Sequence, residues 1–176
     1  NEERIVGLAR GIRRGEIAPV FCGSAYELEA IDQLLTGLLW LAPWAETVAG
    51  EIGEDANGEP VELKVEEDAP TVATVFKTVV DPFVGKMVYF KVIRGKVTGD
   101  MALYNTTTGN TEKLGRLYAI KGKKTEEVKE ICCGDIAAIG KMDKVKTGDT
   151  LCEPKHIVKL AAIEYPQPCY ERAIAP

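Results

Sequence analysis

Six short apolar runs follow one another between Thr71 and Glu153, each closed by glycine-bearing or charged residues. They are VATVFKTVV, KMVYFKVI, MALYN, KLGRLYAI, DIAAIGK and DTLCE. Runs this short, rich in valine, isoleucine and aromatic residues, predict strands rather than helices. In the second run Val88, Phe90 and Val92 fall on one face, while Tyr89 and Lys91 fall on the other. That alternation fits a strand with one side on a core and one side in water. So many short strands in so little chain predict a small closed β-barrel, because closure leaves few edges to protect. The fold class read from the sequence is mainly β, with an α/β remnant at the N-terminus.

The remnant is residues 1–44. Asn1 caps a helix whose apolar face is Ile5, Leu8, Ala9 and Ile12, and Gly15 stops it. APVFC follows, without polar alternation, as a strand buried on both faces. CGSAYE then turns into a second helix marked by Leu28, Ile31, Leu34, Leu35, Leu38 and Leu39, and ended by Pro43. Residues 45–70 read as an acidic linker: Glu46–Asp68 holds nine acidic residues, one lysine and three glycines, with a short strand at VELKV. The barrel is expected over 71–158. The tail from 159 to 176 reads as one strand, a Pro-x-Pro break and the start of another domain, so the chain reads as a piece of a longer protein.

The net charge of −5 is unevenly spread. Residues 1–80 carry 6 basic and 15 acidic side chains, whereas residues 81–150 carry 13 basic and 9 acidic. A positive segment inside an acidic chain points to an anionic partner for that segment, or to lysines that solubilise exposed strands. LLTGLLWLAPW is the longest greasy stretch and is too short to span a bilayer. With no signal peptide, the expected setting is the cytoplasm, with no membrane partner and a monomeric chain. Cys22, Cys132, Cys133, Cys152 and Cys169 have no metal or disulfide spacing and read as buried free thiols. His156 is the only histidine and has no catalytic partner nearby in sequence. A thiol or hydrolytic enzyme built on Cys132, Cys133 or His156 would therefore lack a base for its nucleophile.

CGSA, from Cys22 to Ala25, is placed where a buried strand should meet a helix N-terminus, a position that gathers unpaired N–H groups. Ser24-x-x-Glu27 is also a capping box, which accounts for both residues without any ligand. Beyond these, DPFVG, GDIAAIGK and TGDTLCEP, continued by IEYPQPCYERAIAP, closely resemble bacterial elongation factor G over Thr71–Pro176. Upstream, PVFCGSAYELEAIDQLLTGLLWLAPW resembles the last strand and helix of that family's GTPase domain. The resemblance implies that Ala25 would face a guanine oxygen through its backbone and Ser24 would brace the base-recognition loop. It also implies GTP and Mg²⁺ in the intact parent. The phosphate loop G-x-x-x-x-G-K-[ST] and N-K-x-D are absent, so this segment is expected to hold no cofactor and to catalyse nothing by itself.

The same resemblance implies docking on the small ribosomal subunit, its RNA and protein, with lysines and arginines contacting phosphates. The loop IKGKKT at Ile120–Thr125 and the R-G-K turn make Lys121, Lys123, Lys124, Arg94 and Lys96 the RNA-facing candidates. IKGKKT stands where the family usually has His-Ala-Asn, and LAPW where it usually has Leu-Pro-Ser-Pro. The Gly-Lys-Lys loop resembles a divergent branch of elongation factor G-like paralogues, so ribosome recycling and ribosome-protection resistance stand beside translocation. A barrel that only couples neighbouring domains is the remaining alternative.

Overall fold

The computed structural model describes residues 2–44, 50–81, 85–122 and 124–173. The chain divides into two compact units, Asn1–Ala49 and Gly50–Pro176. No helix among the described residues is long and apolar enough to cross a membrane.

The first unit holds α1 (Glu2–Arg13) and α2 (Ile31–Leu41). Gly15, at φ 70°, turns the chain out of α1 as its position predicts. Asn1, the expected cap, lies outside the described residues. Ala9 is buried, but Ile5 and Leu8 on the same face stay largely exposed. Two expectations fail here. APVFC is not a strand: residues 18–22 have no regular structure and are exposed, Val20 at 86%. A strand needs a neighbour to pair its N–H and C=O groups, and the described residues of this unit supply only a Ser24–Glu29 bridge. Phe21 nevertheless packs its ring over Gly37 of α2, where any side chain would clash with it. Second, the helix does not begin at CGSA. Leu28 and Ala30 take left-handed backbone angles, φ 57° and 60°, and α2 starts only at Ile31. Its C-terminus follows the sequence: Ala42 is extended ahead of Pro43.

The second unit contains β1 (Glu51–Asp55), β2 (Pro60–Leu63), β3 (Val72–Asp81), β4 (Gly85–Arg94), β5 (Lys96–Thr98), β6 (Ala102–Asn105) and β7 (Asn110–Lys113). It continues through β8 (Leu117–Lys121), β9 (Lys124–Val128), β10 (Glu130–Cys132), β11 (Ile136–Gly140), β12 (Thr150–Cys152) and β13 (Val158–Leu160). Eight strands pair in the order β7-β6-β12-β3-β4-β11-β8-β9, every described ladder antiparallel. They wrap a single core. Val75, Val88, Phe90, Val92, Leu103, Leu117, Ile139 and Leu151 point into it, as the alternation predicts. The β5–β10 ribbon adds Val97 and Ile131. A register shift between Val75 and Lys77 leaves Phe76 as an extra, unpaired residue on β3.

Within the stretch expected as an acidic linker, Glu51–Asp55 and Pro60–Leu63 are strands. β1 and β2 form a hairpin, and β13 pairs with the other edge of β1, giving a sheet ordered β13-β1-β2. Asp55 closes the turn: its carboxylate accepts N–H bonds from Asn57 at 2.8 Å and Glu59 at 2.9 Å, and Gly58 takes φ 82°. The Glu59 and Asn57 backbone bonds hold the Asp55 carboxyl below its ordinary pKa. The carboxylate's support of the turn is therefore present at neutral pH and is lost as pH falls through that lowered value. Leu63 of β2, 1% exposed, joins Val72, Ile93, Cys152, Val158 and Leu160 in a second apolar cluster. Acidic composition hid this, because of the hairpin's few apolar residues only Leu63 and Val61 join the cluster against the barrel. VELKV is strand only up to Leu63.

Beyond Leu160, residues 161–173 have no regular structure and are exposed, so the strand expected in LAAIEYPQPCYERAIAP ends at β13. Cys22 and Cys169 are exposed, against the expectation of burial, while Cys152 is fully buried. These facts predict the proteolysis pattern. A brief protease digest should cut within 161–173 before it cuts within 51–63. Initial cleavage at the Glu51–Leu63 hairpin, read by mass spectrometry, would show that the hairpin is not held by the barrel.

Candidate nucleic-acid interface

Arg94 and Lys96 flank Gly95, whose φ of 75° makes the tight turn between β4 and β5. Gly95 has no room for a side chain, because a Cβ there would fall 2.6 Å from the Ala69 carbonyl oxygen. Its N–H donates to the Glu66 carbonyl at 2.8 Å, fastening the segment before β3 against the turn. That attachment brings carboxylates to both cations. Arg94 Nη2 lies 3.2 Å from Glu66 Oε2, and Lys96 Nζ lies 3.0 Å from Glu67 Oε2. The Glu67 hydrogen bond, followed by its charge, raises the Lys96 pKa. Arg94 Nε is buried without a partner among the described residues. The R-G-K turn is thus a neutralised corner of the barrel.

Lys121 ends β8 and Lys124 opens β9, and the two stand directly opposite each other. Gly122, at φ 62°, provides the positive angle that a two-residue hairpin loop needs. Lys123 lies outside the described residues. Both described lysines are exposed, and Lys121 Nζ is 3.4 Å from Glu126 Oε2. Arg116 makes a similar contact with Glu127, also at 3.4 Å. Pairs this open to water are worth about 0–1 kcal/mol and exchange readily for phosphate.

Ser24 and Ala25 lie in the first unit, in the turn ahead of α2. Ser24 Oγ accepts the Glu27 N–H at 3.1 Å, and the Ser24 N–H donates to the Glu29 carbonyl at 3.1 Å. The capping contact is present, but it closes a turn and not a helix, since Ile31 begins the helix. Ala25 is exposed. The pair is therefore not at a helix N-terminus, and the concentration of free N–H groups expected there is displaced to residues 31 onward.

Burial, the largest cause, and then the Glu67 charge push the Cys132 thiol up, away from the thiolate form that attacks substrates. Burial likewise raises Cys152.

Sequence reading missed a second basic region. Lys77 on β3, Lys86 on β4 and Lys141, Lys144 and Lys146 after β11 belong to strands and a loop joined by backbone hydrogen bonds. The signal was the spacing K-x-x-K-x-K in GKMDKVKTG, which reads as part of a family block until the fold sets it beside Lys86.

A family model described as elongation factor G domain 2 matches residues 70–154, the span of the barrel. Among solved structures, a crystal structure of a protein from Thermus thermophilus superposes with a TM-score of 0.65 at 24% identity. The match covers 95% of this chain and 21% of that one, so the chain spans about a fifth of the solved protein's length. At that identity the likeness is one of fold.

Proposed function

We propose that this chain, whose residues 70–154 match the model of elongation factor G domain 2, docks a translational GTPase onto the small ribosomal subunit. The observation that carries the reading is the family match over a domain whose outer surface is basic within an otherwise acidic chain. Lysines and arginines on such a face bind RNA phosphates without reading sequence. GTP and Mg²⁺ would be held by other parts of a longer protein. Ser24 and Ala25 would add one edge of a guanine site, and the segment itself would hydrolyse nothing. Translocation is the role that the family match favours, with recycling and ribosome protection as the roles of divergent relatives.

Binding of the chain to purified small and large subunits across a salt series tests this. Salt-sensitive binding to the small subunit is expected, and equal or absent binding to both subunits would reject it. A fluorescent GDP titration of the chain should stay flat to millimolar; saturation at micromolar concentration would overturn the reading of Ser24 and Ala25 as an incomplete site. Lys121→Gln with Lys124→Gln should weaken small-subunit binding if that hairpin touches phosphate.

A specific observation also favours the coupling alternative. β1 and β13, from the two ends of the folded second unit, are hydrogen-bonded neighbours, Gly53 opposite Leu160. A displacement at one end of this unit would reach the other through a single ladder. If coupling is the whole role, subunit binding should ignore every lysine substitution.

A further inference from the structure

We infer that the cavity between the β1–β2 hairpin and the barrel is a binding site for a small monocarboxylate with an apolar body. The inference stands on that cavity alone and needs no ribosomal partner.

The apolar walls come from three parts of the second unit. β2 supplies Val61 and Leu63, the entry to β3 supplies Pro70 and Val72, and the turn into β13 supplies Ile157 and Val158. Leu63, Val72 and Val158 are buried members of the second apolar cluster, so the cavity sits directly on it. Its volume is about 310 Å³, at the lower end of the range for small-molecule sites. The frame is set by bonds within the chain. Asp55 stands opposite Val158 in the β1–β13 ladder. Thr71 and Glu153 exchange two bonds, the Glu153 N–H donating to the Thr71 carbonyl at 3.1 Å and the Thr71 N–H to Glu153 Oε1 at 3.0 Å. The His156 N–H then donates to the Glu153 carbonyl at 3.0 Å, closing the turn that carries Lys155 and His156. A cavity framed this way is formed before its ligand arrives, so little binding energy is lost in ordering it.

Charge then selects the ligand. Arg94, Lys155 and His156 line the cavity against one acid, Asp55. The Asp55 carboxylate is already engaged in its own turn, accepting from the Asn57 and Glu59 N–H groups. Lys155 and His156 are exposed, and among the described residues neither pairs with a carboxylate. Glu66, which does not line the cavity, holds Arg94 Nη2, yet Arg94 Nε stays buried without a partner among the described residues. An unsatisfied buried donor carries a desolvation cost that an entering acceptor removes. A carboxylate suits the guanidinium, whose planar donors match its two oxygens. The Val61, Leu63 and Val158 walls require an apolar body to cover them. Inorganic phosphate lacks that body, and a neutral alcohol lacks the charge.

The test uses the whole chain, isotope-labelled, with octanoate as the probe and NMR shifts read at the Val61, Val72, Ile157 and Val158 methyls. Saturable shifts are expected there. Octan-1-ol, of the same chain length, should bind at least about tenfold more weakly, the fold-change of one charge-assisted hydrogen bond. Lys155→Gln, at an exposed position, should weaken octanoate by about threefold to tenfold. Arg94→Gln should weaken it by at least about tenfold; if that variant does not fold, Lys155→Gln decides alone. Absence of saturable shifts at these methyls in the wild type overturns the proposal, as does equal affinity for octanol and octanoate. Unchanged octanoate affinity in folded Lys155→Gln overturns it too. Saturation of the same methyls by inorganic phosphate would reject the apolar body and with it the stated ligand class. Shifts confined to exposed helical residues such as Ile5 and Leu8 would place the binding elsewhere and reject the site.

Discussion

Leu63→Ala should destabilise the second unit by about 2–5 kcal/mol, the range for deleting a buried leucine side chain and leaving its cavity. Leu63 lies in the hairpin that composition marks as a solvated connector, yet its side chain is enclosed by Val72, Ile93, Cys152, Val158 and Leu160. A connector residue would change stability by no more than about 0.5 kcal/mol. Ile52, one strand away on β1 and 70% exposed, is the matched control, and Ile52→Ala should stay within that smaller range. Urea denaturation followed by circular dichroism reads both. A midpoint shift for Leu63→Ala as small as that for Ile52→Ala would detach the hairpin from the barrel. The physical reason for expecting the large value is that Leu63 seals the outer side of β3 and β4, which a lone barrel would leave to water. Val72 and Ile93 are apolar for the same reason.

The barrel was legible because its code is local. Val88, Phe90 and Val92 alternate with Tyr89 and Lys91, and the structure buries the first set at 0–1% exposure. Pro43 and Gly15 likewise act through their own backbone angles, and both end helices where expected. The misses share another cause. APVFC looks like a buried strand, but apolar residues become a strand only when a neighbour accepts their hydrogen bonds, and none is present beside them among the described residues. The β1–β2 hairpin was hidden for the converse reason. Its acids face water, and its partner, β13, lies about a hundred residues away at Val158–Leu160.

The interface was legible in kind but not in place. Net charge identified the basic segment, yet charge counts carry no geometry. Arg94 and Lys96 look available in R-G-K until the fold brings up Glu66 and Glu67 from the preceding segment. Lys86 and Lys141, fifty-five positions apart in sequence, become neighbours only through the β4–β11 ladder and the bond that continues it. Sequence distance concealed the cluster, while local acids in EEVKE drew attention to a hairpin whose exposed charges are partly balanced.

Asp149→Ala should cost about 2–6 kcal/mol and loosen the lysine loop in the same step. Asp149 is 3% exposed, and its Oδ2 accepts from Asn105 Nδ2 at 2.7 Å and from the Lys146 N–H at 2.8 Å. Asn105 is fully buried and also holds the next turn, its Oδ1 accepting from Thr107 at 2.9 Å and Thr108 at 3.2 Å. Removing the carboxylate strands two donors, and each unsatisfied buried donor costs about 1–3 kcal/mol. Asp149→Asn is the informative companion. One amide oxygen in the Oδ2 position can accept both bonds, so a loss of only about 1–2 kcal/mol is expected, for two charge-assisted bonds made neutral. Equal losses in the two variants would mean that the charge, and not the pair of accepted bonds, supports the loop. Because Lys146 is fixed through its own N–H, hydrogen exchange there should rise in Asp149→Ala well before the barrel unfolds globally. RNA binding should weaken with it, since lysines on a loosened loop must be ordered again at each encounter. If exchange at Lys146 stays at the wild-type rate in a variant that has lost stability, the Asp149 bond is not what positions the lysine loop.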